Sequence, residues 1–460
     1  MKRVAQRAWA LVALLALLLG GVGFFVGDYA INAPWWVSYT GSPHLSASSG
    51  MSAGSVVDRS GVTLLTMGGG TGYAESAAVR KATVHWLGDR EGKILAPAVA
   101  EYTDEMSSYD IIGGLYSFAD QPGQIQLTLS ASLQETALKA MGDNQGVIAV
   151  YNYKTGEILC AVTTPTYDPD DPPKLTEEEL NSNEAYDGLY WNRFTRSTYS
   201  PGSIFKVATT AAALESIGDI QEQTFQCTGR VEYGPDAVTC EKVHGNVTLK
   251  QALAKSCNCA FAQIAQQLGK NKLEKYMNQF GVAKSLSFDG VSTRAGNFDL
   301  KGAADVEMAW AAIGQYTDLI NPASYMTFLG TIAGGGTAAE PHVVSRVTSG
   351  EKIVYEARTT MTSKTMSAET AATLTELMAN NVEVSYGSYN FPGLKVCAKS
   401  GTSQVGGEQT SNALFAGFVA DEEYPLAFIV VVENGGYGAS TCVPILSKVL
   451  AACKAELDSY

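Results

Sequence analysis

From Ala8 to Val26 the chain reads AWALVALLALLLGGVGFFV, nineteen residues without a charge. Wound as a helix at 1.5 Å per residue, the run spans roughly 28 Å, enough for the hydrocarbon core of a bilayer. No water-soluble fold of ordinary size accommodates such a segment easily, so a transmembrane helix is expected. Lys2, Arg3 and Arg7 precede it. The positive-inside rule then keeps the N-terminus cytoplasmic and sends the rest outside. Trp35, Trp36 and Tyr39 follow, where interfacial aromatics tend to sit. A cleaved signal peptide is the competing reading, but the run is long for one and no good A-x-A site follows. A single-pass protein of the cell membrane with an extracytoplasmic body is the expectation.

That body is globular by composition, with 46% hydrophobic and 17% charged residues in a chain of 460. A net charge of −14 argues against a nucleic-acid partner, which needs basic surface. Only His44, His85, His244 and His342 are present, so chemistry built on several histidines is not expected. No G-x-S-x-G elbow, H-E-x-x-H or G-x-x-x-x-G-K-[ST] motif occurs. Eight cysteines follow the apolar run, too sparse for a disulfide-built scaffold.

Three regions are expected. Residues 1–30 are a cytoplasmic tip and anchor. Residues 31–122 are a tether, rich in Ser, Gly and Thr over 40–55, and a small mixed domain. Residues 123–460 form one α/β unit with an all-helical subdomain. In the second region, Asp58-Arg59-Ser60-Gly61 reads as a turn between two short β runs, and Gly68-Gly69-Gly70 matches no phosphate loop. In the third, GVIAVYN (Gly146–Asn152) and ILCAVTTP (Ile158–Pro165) predict a hairpin around Lys154-Thr155-Gly156-Glu157. Helical periodicity recurs over Ser130–Met141, Ile204–Ile217, Leu249–Leu268 and from Asn321-Pro322 to Gly334. Leu394–Ser400, Ala413–Ala420 and Ala427–Glu433 read as strands, and an amphipathic helix ends at Leu457. The acidic stretch Asp168–Asp187 reads as solvated surface, with a capping box from Thr176 to Glu179.

Three short motifs carry chemistry. Ser203-Ile204-Phe205-Lys206 follows Tyr199-Ser200-Pro201-Gly202. Positions i and i+3 share a helix face, so Ser203 and Lys206 are neighbours. The serine needs a base, and lysine serves as one only when neutral; burial and a second cation both push its pKa down. The serine N–H, an unpaired donor of a helix start, can help hold an oxyanion. Ser256-Cys257-Asn258 interrupts a helical run, offering a hydroxyl for proton relay and an amide for a substrate amide. Lys399-Ser400-Gly401-Thr402 ends an apolar strand. Gly401 there admits a close backbone approach. Ser400 and Thr402 can donate to a carboxylate, the Thr402 N–H to an oxyanion, and Lys399 can be the second cation. Each motif alone has a plain structural reading: a serine N-cap before an exposed lysine, a kinked core helix, a charged strand end before a polar loop.

Their joint order, with spacings of 53 and 143 residues, changes that. S-x-x-K, S-x-N and K-S-G-T together resemble the set of β-lactamases and penicillin-binding proteins. With the Y-x-P-G-S-x-F-K segment, the hairpin and the Gly314-Gln315 to Pro341 block, the chain resembles a class B penicillin-binding protein over residues 123–460. The Asp58-Arg59-Ser60-Gly61 segment is similar to that family's N-terminal D-R-x-G. The arginine usual before it is missing, and Tyr316 replaces the third Gly of G-Q-G.

The resemblance implies a penicillin-binding/β-lactamase-like transpeptidase fold, an antiparallel sheet flanked by helices. It also implies peptidoglycan D,D-transpeptidation through an acyl-enzyme on Ser203, which β-lactams would also form. Lys206 would be the general base, Ser256 and Lys399 the proton relay, and Asn258 a substrate-amide ligand. Ser400, Gly401 and Thr402 would bind substrate. Stem peptides are the implied substrates, no cofactor is required, and a glycosyltransferase is the implied partner, because residues 31–122 leave too little room for one. Glu274, in E-K-Y-M-N, resembles the deacylating Glu of class A β-lactamases only superficially and reads as a helix-face residue. Cys227, Cys240, His244 and Cys257 make up a Cys₃His set that could hold zinc; a Cys227–Cys240 disulfide or free thiols are the alternatives.

Overall fold

In a computed structural model, which describes residues 2–38, 52–68, 72–102, 123–404 and 410–459, a five-stranded antiparallel sheet is central. Its spatial order is Val396–Ser403, Asn412–Val419, Leu426–Val432, Gly146–Asn152, Ile158–Thr164. The inner strands are apolar runs buried on both faces, which needs cover on both sides. Side chains alternate accordingly. Ile148, Val150, Phe428 and Val430 pack with the helices Ala131–Met141 and Gly438–Leu457. Val147, Ala149, Ile429 and Val431 face the other core with Tyr325, Phe328 and Leu329 of the helix Pro322–Ala333.

That last helix is buried along nearly its whole length, as its all-round apolar sequence requires. Asn321 caps it by accepting from the N–H groups of Ala323 and Ser324, and Pro322 occupies the first turn. The helices Lys206–Ser216, Leu249–Ala254, Asn258–Leu268, Lys270–Phe280 and Ala368–Asn381 form a largely helical lobe, not the all-helical one expected, because residues 224–248 add two small antiparallel sheets packed on its helices. The Thr176–Glu179 capping box forms as expected.

A second sheet has six strands, in the order Lys352–Glu356, Val344–Ser349, Gln124–Leu127, Ser52–Val57, Thr63–Gly68, Gly72–Tyr73. Ser52–Val57 pairs parallel with Gln124–Leu127, so the chain on either side of position 122 shares one sheet. Asp58 ties the join. It is 2% exposed, and its carboxylate accepts from the N–H groups of Ser60, Val62 and Ala131. The turn at Asp58–Gly61 therefore also anchors the start of the Ala131–Met141 helix.

The N-terminal helix runs Lys2–Ser38, beyond the apolar run, and is apolar and long enough to cross a membrane. Tyr39, most of the expected tether, Gly69, Gly70 and residues 103–122 lie outside the described residues.

Candidate active site

The segment that carries Ser203 is wedged between the central sheet and the helical lobe. Gly202–Phe205 forms a 3₁₀ turn that runs into the helix Lys206–Ser216. Gly202 has φ +52°, and a Cβ there would lie 2.7 Å from the Thr402 carbonyl oxygen. Only glycine brings this turn so close to the K-S-G-T strand. Lys206 is fully buried, not an exposed helix residue. Its Nζ lies 2.6 Å from Ser203 Oγ, 3.2 Å from Ser256 Oγ and 2.8 Å from Asn258 Oδ1.

Ser256 sits between the helices Leu249–Ala254 and Asn258–Leu268 with φ +53°. A non-glycine residue adopts this left-handed geometry rarely, at a cost of about 1–2 kcal/mol. The sequence break there thus becomes a sharp turn. It aims the Ser256 hydroxyl and the Asn258 amide at Lys206 and turns Cys257, fully buried, to the other side. Asn258 Nδ2 donates to the Thr239 carbonyl at 2.8 Å, which fixes the amide's orientation.

The third motif lies within a strand rather than at its end. Val396–Ser403 continues through Thr402, in register with Asn412–Val419, because backbone pairing does not depend on side-chain polarity. Lys399 is 1% exposed, and its Nζ lies 3.2 Å from Ser256 Oγ and 2.8 Å from the Ser400 carbonyl oxygen. The close approach expected at Gly401 is made by the chain itself: a Cβ would lie 2.8 Å from the Pro201 carbonyl oxygen. The Thr402 hydroxyl accepts from the Gly438 N–H at 3.3 Å.

Two lysines therefore share one buried site with Ser256 between them. Burial is the main force lowering the Lys206 pKa, and the charge of Lys399 is the next; the result is well below the usual value. Burial takes Lys399 down to about 7. The nearby charge of Lys399 further disfavours a protonated Lys206. A neutral amine 2.6 Å from a serine hydroxyl is positioned to accept that hydroxyl's proton.

Tyr386 joins the site without any signal in the sequence. Its phenol accepts from the Ser400 N–H at 2.9 Å and lies 3.0 Å from Ser400 Oγ. It arrives on a π-helical turn, Val382–Tyr386, that follows a regular helix. Glu433 is also unforeseen. Arg193, 3% exposed, sets Nε and Nη2 2.8 Å from the two Glu433 carboxylate oxygens, and Tyr199 Oη donates to the same carboxylate at 2.7 Å. This cluster ties the run before Ser203 to the end of a central strand. Arg193→Ala should lose about 3–5 kcal/mol of stability, because it strands a partly buried carboxylate. Urea unfolding checks this; Arg193→Met with Glu433→Leu should recover most of the loss.

Glu274 is not in this site. Its carboxylate accepts from the Leu300 N–H at 2.9 Å, a structural contact on the helical lobe. Cys227, Cys240, His244 and Cys257 do converge, with their ligand atoms within 4.8 Å of one another. All eight cysteines are unpaired in this structure, Cys227 and Cys240 among them.

Comparison with known proteins agrees with this architecture. The family model described as the penicillin binding protein transpeptidase domain matches residues 146–451. The chain belongs to that family. It is 28% identical over 367 residues to the peptidoglycan D,D-transpeptidase PbpA of Mycolicibacterium smegmatis, covering 73% of each chain. Its fold is similar to that of penicillin-binding protein A from M. tuberculosis, solved as a ceftriaxone acyl-enzyme complex. The TM-score is 0.76 and the identity 22%, over 88% of this chain and 98% of that one. A further similar chain, at TM-score 0.62 and 24% identity, belongs to a peptidoglycan synthase complex described as coordinating polymerization and crosslinking. That match covers 72% of this chain and 63% of the other.

Proposed function

We propose that this protein is a membrane-anchored peptidoglycan D,D-transpeptidase. The observation that carries the reading is the contact of Lys206 Nζ with Ser203 Oγ at 2.6 Å inside a site that disfavours the charged lysine. Neutral Lys206 takes the Ser203 proton while Oγ attacks the penultimate D-Ala carbonyl of a stem peptide. The peptide bond to the terminal D-Ala breaks, and the proton reaches the leaving amine through Ser256, with Lys399 holding that hydroxyl. The N–H groups of Ser203 and Thr402 receive the oxyanion, Asn258 orients the substrate amide, and Ser400, Gly401 and Thr402 take the terminal carboxylate. An amine from a second stem then attacks the ester, returns a proton to the site and closes the cross-link.

A β-lactam would follow the first half of this path. Its opened ring keeps the leaving nitrogen tethered, so the acyl-enzyme persists. No cofactor takes part in these steps. In this reading residues 1–30 hold the chain in the membrane with Lys2, Arg3 and Arg7 on the cytoplasmic side. Residues 31–122 are a small pedestal, and 123–460 carry the reaction outside. Donor and acceptor stems ride on glycan strands, so a glycosyltransferase that makes those strands is the proposed partner class; the similarity to a chain of a synthase complex supports it.

The test is incubation with a pentapeptide donor and an amine acceptor. A cross-linked product is expected; release of D-Ala with water as the only acceptor would instead mark a carboxypeptidase. The pH dependence follows from the lysines. Neutral Lys206 is present above its lowered pKa and is lost as pH falls through it, so acylation by a penicillin should decline towards acid. Removing the neighbouring cation with Lys399→Gln raises the Lys206 pKa. The acid limb of the acylation profile should therefore move to higher pH in that variant, as stopped-flow measurement across pH would register.

A further inference from the structure

We propose that Tyr386 is a positioning residue that confines the site to donor peptides ending in a free carboxylate, by closing the cleft one residue beyond the scissile bond. The inference rests on the transpeptidase reading of the site. Val396–Ser403 is the outermost strand of the central sheet, so one edge of its backbone pairs with no strand. Side chains cap that edge instead. Asn381 Nδ2 donates to the Ala398 carbonyl at 3.1 Å, the Ser400 N–H donates to Tyr386 Oη at 2.9 Å, and Gln315 Nε2 donates to the Thr402 carbonyl at 3.3 Å. Ala398, Ser400 and Thr402 therefore share the edge, each about 6.8 Å from the next.

Tyr386 belongs to a wall across the end of the cleft. It closes the π turn Val382–Tyr386, in which the Gly387 N–H donates to the Val382 carbonyl at 2.7 Å. Such wide turns are frequent at functional sites. On one side the phenol meets Ser400. On the other, Ser385 Oγ donates at 3.1 Å to the carbonyl of Ala254, the last residue of the helix before the S-x-N turn. The turn thus bridges the K-S-G-T strand and the helical lobe. The Tyr386 ring stands edge-on to Phe415, with centroids 5.1 Å apart, and its carbonyl accepts from Asn390 Nδ2 at 2.8 Å. A substrate with its scissile carbonyl at the Thr402 N–H advances about 3.4 Å per residue along the edge. The carboxylate of a terminal D-Ala then comes within reach of Ser400 Oγ. One residue more would need the place that Tyr386 occupies.

Hydrogen counting favours the same selectivity. The phenol oxygen already accepts from the Ser400 N–H, so its own hydrogen is assigned to Ser400 Oγ, 3.0 Å away. Ser400 Oγ then accepts from Tyr386 and has to send its own hydrogen elsewhere, into the cleft. A carboxylate takes that hydrogen better than a neutral carboxamide does, because its oxygens carry charge. Burial pushes the phenol pKa up, so the phenol hydrogen stays in place at neutral pH.

Three donors test this on the full chain in detergent: a peptide ending in a free D-Ala carboxylate, the same peptide as its C-terminal amide, and the same peptide carrying one further residue. Release of the group beyond the scissile bond gives kcat/KM for each. The unmodified chain should favour the carboxylate donor over either of the others by about 10²-fold or more. Tyr386→Phe keeps the ring and loses the hydroxyl, so its carboxylate-over-amide ratio should fall by about 10-fold. Tyr386→Ala opens the wall, so its carboxylate-over-extended ratio should fall by about 10-fold or more. Both ratios are independent of the fraction of chain that is folded, which separates selectivity from stability. An unmodified chain that cleaves the extended donor as readily as the carboxylate donor, or an unchanged ratio in either variant, would overturn the role of Tyr386. Absence of penicillin acylation in the unmodified chain would instead overturn the transpeptidase reading beneath it.

Discussion

Ser203→Ala protein, mixed with a fluorescent penicillin and run on a denaturing gel, should carry no covalent label. The β-lactam carbonyl must be captured by an oxygen, and Ser203 Oγ is the one held 2.6 Å from Lys206 Nζ, the proposed base. Alanine removes that atom and nothing else of size. The side chain lies at the edge of the cleft rather than in the core, so the far-ultraviolet dichroism and melting temperature should stay close to those of the unmodified chain. Ser256→Ala provides the contrast. It keeps Ser203 and Lys206 and interrupts only the proposed relay, so labelling should slow by about 10²–10³-fold without vanishing. Normal labelling of Ser203→Ala would displace Ser203 as the nucleophile.

The second large effect concerns Lys206. Lys206→Met should reduce the acylation rate by about 10²–10⁴-fold, the range for loss of a general base. Stability should behave in the opposite sense. A fully buried lysine that burial pushes towards neutrality is a strained choice for a core position. Methionine fills similar volume without the desolvation cost, and Asn258 Oδ1, at the half-exposed cleft edge, can turn to water. The melting temperature of Lys206→Met should therefore equal or exceed that of the unmodified chain. A lysine kept for structure would lower it. Activity lost together with stability would point to a packing role instead.

These two outcomes bear on how the site is encoded. The pairing of Ser203 with Lys206 is local. Two residues three apart on a helix meet wherever that helix goes, so the contact was legible in the chain. The same holds for the hairpin of Gly146–Asn152 with Ile158–Thr164, where two apolar runs flank a turn, and for the Asn321 cap. The break at Ser256 was also visible as an interruption of a helical pattern. Its left-handed φ was not, since nothing in a short window distinguishes a turn from a kink.

Other parts of the site had no local signature. Tyr386 reaches Ser400 because a helix ends in a π turn against the edge strand. Arg193 meets Glu433 because the chain crosses the end of a central strand. The plain reading of Lys206 as exposed failed for a related reason: burial is decided by what packs on a helix, and here Phe261 and the S-x-N turn do. Gly401 faces the chain's own Pro201 turn, which only the tertiary arrangement places there.

By itself, then, the sequence determined the apolar length of the first helix, the strands of the central sheet, the helices Ala131–Met141, Lys206–Ser216, Pro322–Ala333 and Gly438–Leu457, and the three motifs with their order. Periodicity and spacing act over a few residues, and a run of letters contains them. The tertiary structure alone decided that Lys399 lies across Ser256 from Lys206, that Ser52–Val57 pairs with Gln124–Leu127, and that three cysteines and a histidine converge behind the S-x-N turn. Those contacts join residues far apart in the chain. They are set by which apolar faces bury one another and by the strand register that burial imposes, and no short window of sequence holds that information.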